Sequence, residues 1–68
     1  MDEEAFNMSV RKFLKQLGIT AQREIELGVR ERLDSGELPD GATLPARARV
    51  IVEGLPNEIT VNGEIRLS

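Results

Sequence analysis

The sequence has neither His, Cys, Tyr nor Trp, so the groups left for chemistry are Ser and Thr hydroxyls, Lys, Arg and carboxylates. Hydrolytic and transfer reactions usually pair a nucleophile with a base poised near neutral pH, which in most enzymes is His. Neither G-x-S-x-G nor a phosphate-cradling Gly loop is present. The Asp and Glu residues are spread over what read as outward faces, where charge serves solvation. The expectation is therefore a protein that is not an enzyme, with no catalytic residues and no cofactor.

Asp34, Glu37 and Asp40 fall within ELPDGATLP and just before it. A calcium loop needs oxygens at alternate positions around a central Gly, and this spacing does not supply them. With His and Cys also missing, no metal site is expected. The basic residues offer a second chemistry. Arg47, Arg49 and Arg66 fall on one face of the extended segments and could meet phosphates. Against this, Glu53, Glu58 and Glu64 share that face, no aromatic residue stands there for base stacking, and the pI is near 4.9. Nucleic acid is thus the alternative partner rather than the expected one.

Charge divided by segment points the same way. Residues 1–20 hold three acids and three bases, 21–40 six and three, and 41–68 three and three, so only the middle is biased. The first residues, MDEEAFN, are acidic where a signal peptide would be basic, and no apolar stretch approaches the ~20 residues of a membrane span. The expected location is the cytoplasm, without a membrane partner or a small-molecule ligand.

The elements that carry these residues follow from periodicity. Between 2 and 17, Phe6, Val10, Phe13, Leu14 and Leu17 trace one stripe of a helix, with Asp2, Glu3 and Glu4 in its first turn and Arg11, Lys12 and Lys15 toward its end. Gly18 suits the left-handed residue that closes a helix. Thr20 suits the cap of a second helix, whose apolar residues Ala21, Ile25, Val29 and Leu33 stand four apart and which stops at Gly36. A helical hairpin is expected. Gly28, in mid-helix, suggests close packing against the first helix or the sheet, and Leu27, off the stripe, suggests a partner contact.

Beyond the Pro- and Gly-rich loop, LPARARVIVE at 44–53 and EITVNGEIRL at 58–67 alternate apolar and polar residues with period two. Asn62-Gly63 is the strongest local hairpin signal, yet a turn there would oppose Val61 with Glu64 and Thr60 with Ile65, mixing apolar with polar. One continuous strand keeps Ile59, Val61, Gly63, Ile65 and Leu67 together. The turn is therefore placed at 54–57, pairing Val52 with Ile59, Val50 with Val61, Ala48 with Gly63 and Arg47 with Glu64. Glu53 opposite Glu58 is repulsive, which argues for a splayed end or a wider loop, and Gly63 is a candidate bulge.

The expected fold is α+β, one domain over 1–68, with two helices followed by a two-stranded antiparallel hairpin. Its Ala48 and Gly63 leave room for Phe6 or Phe13. The bare hairpin edges suggest that two copies join into a four-stranded sheet, through Thr60 and Asn62, with Ile51 and Leu27 as further interface candidates. A chain this short buries only about 60% of its unfolded surface, so a second subunit is the remaining source of stability once disulfides and metals are excluded.

The segments FNMSVRKFLKQLGITAQREIE, LPA at 44–46, EGL at 53–55 and NGEI at 62–65 resemble a family of small uncharacterised bacterial proteins, a domain of unknown function. The resemblance spans nearly the whole chain and implies no catalytic residue, substrate or cofactor. The family pattern commonly has Ser at the position of Ala21, three before Glu24, which would complete a capping box. Its absence implies a frayed start to the second helix.

Overall fold

A computed structural model describes all 68 residues as two compact units, Met1–Glu37 and Leu38–Ser68. The first unit is a single helix, α1, over Glu3–Asp34. Asp2 is its N-cap: it adopts an extended conformation, and its Oδ1 accepts from the Ala5 amide at 3.1 Å. Glu3 and Glu4 add negative charge where the helix presents unsatisfied N–H groups. At the other end Ser35 caps and Gly36 turns to φ 81°. The Glu37 amide then donates to Arg32 O at 2.9 Å and the Gly36 amide to Leu33 O at 3.2 Å. Those two bonds form a Schellman closure, and the left-handed conformation explains why Gly stands there.

The expected helical hairpin is not formed. Gly18 and Thr20 lie inside α1, and Gly18 has no positive φ. A mid-helix Gly costs about 1 kcal/mol relative to Ala, whereas a break would orphan up to four carbonyls and four amides. Residues 21–34 are mostly strong helix formers, so continuing is the cheaper course. Arg11, Lys12 and Lys15 consequently sit in mid-helix, and the only base in the last turn is Arg32. Gly28 does not mark a close approach either, because a Cβ there would meet nothing within 4 Å.

The second unit is an antiparallel hairpin of β1, Thr43–Val50, and β2, Ile59–Arg66. Asn62-Gly63 lies within the continuous β2, as the alternation requires, and the ladder passes Gly63 without a bulge. The faces are also as expected. Leu44, Ala46, Ala48 and Val50 oppose Ile65, Gly63, Val61 and Ile59, keeping apolar residues together. The register differs by two residues: Val50 rather than Val52 opposes Ile59, and Arg47 opposes Asn62 rather than Glu64. A slip of two preserves every face, so face alternation could not discriminate between the two registers.

Turn chemistry and charge do discriminate. The chain reverses at 52–55, where Val52 O accepts from the Leu55 amide at 3.1 Å and Gly54 takes φ 99°. Gly in that third position is what a type II turn demands. The loop thus spans 51–58, and Glu53 and Glu58 no longer oppose each other. Glu58 instead reaches diagonally to Arg49, Oε2 to Nε at 3.0 Å. Pro45 is accommodated on an edge strand, where a missing N–H need not interrupt a ladder. One further bond, Leu67 N to Ala42 O at 3.0 Å, extends the hairpin beyond the strands.

Candidate interaction surfaces

No residue in either unit is buried. On α1, Phe6, Val10, Phe13, Leu14 and Leu17 occupy the face that the stripe predicts, and each remains exposed, from 37% for Leu17 to 49% for Phe13 and Leu14. From Leu17 onward the apolar residues stand four apart, at Ala21, Ile25, Val29 and Leu33. Four residues advance a helix by about 400°, so the apolar path shifts by about 40° at each step and winds away from the first stripe.

Leu27 lies off that path, 52% exposed. It shares a shallow concavity with Ile19, Gln22, Arg23, Glu26 and Arg30. Gln22 Nε2 donates to Glu26 Oε2 at 2.9 Å, and Arg30 approaches the other oxygen of Glu26 at 3.9 Å. These i,i+4 contacts add a few tenths of a kcal/mol to a helix, and they give Leu27 a polar border. No group of three or more carboxylates gathers where an ion could be shared.

On the hairpin, Thr60 and Asn62 lie on the polar face of β2, both exposed, and Ile51, 71% exposed, follows directly on β1. Leu27 belongs to the first unit and the other three interface candidates to the second. Arg47, Arg49 and Arg66 share the polar face, as their parity requires. They are not a free basic row, because Glu58 holds Arg49 and Glu64 stands opposite Pro45 on the same face. Val61, 61% exposed, and Ile59, 49% exposed, complete an open apolar side.

The spacing marks the α1 stripe and the side of Val61 as apolar faces but does not mark them as accessible surface. Amphipathic spacing identifies an apolar face without saying whether anything covers it. The signal available in the sequence was length, since a chain of 68 residues buries only about 60% of its unfolded surface.

No helix is long and apolar enough to cross a membrane. No curated protein and no solved structure matches the chain. Over residues 1–68 it matches the family of unknown function DUF6494, and to that family the chain belongs.

Proposed function

We propose that this protein is a non-catalytic interaction module that works as a homodimer, with the second copy covering apolar surface that one copy leaves open. The observation that carries this reading is the absence of any buried residue in either unit. A lone helix draws most of its stability from packing its apolar face, and an isolated two-stranded hairpin is marginal in water. A second copy supplies both kinds of packing, and each strand of the hairpin has one bare edge through which it can be joined. The same reasoning favours binding over catalysis, since the site residues are exposed Leu27, Ile51, Thr60 and Asn62 rather than a sheltered nucleophile and base.

Light scattering over a concentration series tests this directly. A mass near twice 7.6 kDa at micromolar concentration is expected, and a monomer mass persisting into the high micromolar range overturns the proposal. The competing reading, phosphate contact through Arg47, Arg49 and Arg66, predicts low-salt binding to any RNA or duplex DNA. Titration of labelled nucleic acid decides between them, and absence of even non-specific binding removes that alternative.

A further inference from the structure

We infer that the two copies join along β2, antiparallel, about a two-fold axis through Asn62; this rests on the homodimer reading above. The hairpin has two strands, so each offers one unpaired edge to a partner. The β1 edge is poorly suited to pairing with itself. Pro45 lacks an N–H, and a two-fold axis at Arg47, Ala48 or Arg49 sets Arg47 against Arg47, Arg47 against Arg49, or Arg49 against Arg49. Directly opposed like charges destabilise a sheet. The β2 edge contains no Pro and no such run of one charge.

Symmetry then limits the registers. A two-fold axis perpendicular to a sheet keeps each side chain on its own face, so opposed residues must have the same parity. Odd-numbered Ile59, Val61, Gly63 and Ile65 therefore meet odd-numbered residues, and apolar surface continues across the junction. Because β2 covers Ile59–Arg66, only axes at Asn62 and Gly63 overlap nearly the whole strand. An axis at Val61 shortens the overlap and opposes Glu58 with Glu64.

Charge and space favour Asn62. With the axis there, Glu58, whose Oε2 already lies 3.0 Å from Arg49 Nε, also faces Arg66 of the second copy, and symmetry makes that contact twice. Arg66 forms no ion pair within its own chain, so the partner supplies its missing acid. Val61 is 61% exposed, and this register sets it opposite Gly63, where a Cβ would meet nothing within 4 Å. Thr60 faces Glu64 and Asn62 faces itself on the polar side. With the axis at Gly63, Glu58 faces Ser68 and Arg66 faces Thr60, so Arg66 gains no acid.

The chain has no Cys, which makes disulfide trapping clean. Directly opposed antiparallel residues place their Cα atoms about 4.5 to 5.5 Å apart, inside the range of about 4.4 to 6.8 Å that a disulfide spans. Asn62→Cys should cross-link to itself under mild oxidation. Thr60→Cys and Glu64→Cys should stay unlinked alone and cross-link when mixed. Arg66→Glu, with circular dichroism confirming the hairpin, should weaken dimerisation by about tenfold. If light scattering reports a dimer but Asn62→Cys stays unlinked and the mixed pair fails, this register is wrong and the homodimer reading survives. Self-linking of Gly63→Cys in place of Asn62→Cys moves the axis and overturns the inference. A monomer mass for the unaltered chain, with no cross-linking by any variant, overturns both.

Discussion

Arg49 and Glu58 approach to 3.0 Å on the exposed face of the hairpin, with side chains 65% and 43% accessible. Pairs this exposed contribute about 0.2 to 1 kcal/mol and weaken with salt. The pair is small in energy but decisive about register, because the alternative register two residues away pairs Arg47 with Glu64 instead. Arg49→Gln is therefore expected to lower stability to urea by several tenths of a kcal/mol at low salt, while Arg47→Gln leaves it nearly unchanged. The reverse ranking, measured by urea unfolding of both variants at one protein concentration, would show that the strands pair as Arg47 with Glu64. Sequence alternation could not separate these two arrangements, since both keep every apolar residue on its face. What separates them is the turn at 52–55, set by the glycine conformation at Gly54, together with the repulsion of Glu53 and Glu58.

At the scale of elements, two glycines that look alike in sequence do opposite things. Gly36 holds φ 81° and closes α1, whereas Gly18 lies within it. Alanine reports the difference. Gly18→Ala is expected to raise stability and helix content, by about 1 kcal/mol at most. Gly36→Ala forces a Cβ into the left-handed region and should cost about 1 kcal/mol. Circular dichroism with thermal unfolding checks both, and destabilisation by Gly18→Ala would restore the helical hairpin. The strands, their faces, the place of Asn62-Gly63 and the stop at Gly36 were all legible in the sequence, because period-two alternation and a C-terminal glycine are local signals. The single helix was not. Apolar spacing changes character at Leu17, from one straight stripe to steps of four, and that change reads equally as a second helix or as one helix whose apolar path winds. Choosing between them depends on whether a partner element rewards a break, and no local pattern carries that information. The same gap hid the interaction surfaces: Phe6, Val10, Phe13 and Val61 were recognisable as apolar faces, but not as uncovered ones.

For the whole molecule, stability and assembly become one question. Each unit is smaller than the size at which an isolated core usually suffices, no residue is buried, and there is no cysteine to form a cross-link. If folding is completed by a second copy, unfolding releases two chains and the midpoint must depend on concentration. A tenfold rise in concentration adds about 1.4 kcal/mol per dimer. Set against an unfolding entropy of about 2.1 cal/mol/K per residue, this raises Tm by about 5 °C. A monomer that folds alone shows no such shift. Thermal unfolding followed at 222 nm over two decades of concentration should therefore move by about 10 °C in total. A midpoint constant across that range would mean that one copy sustains its own fold with its apolar faces open, and the homodimer reading would fail with it.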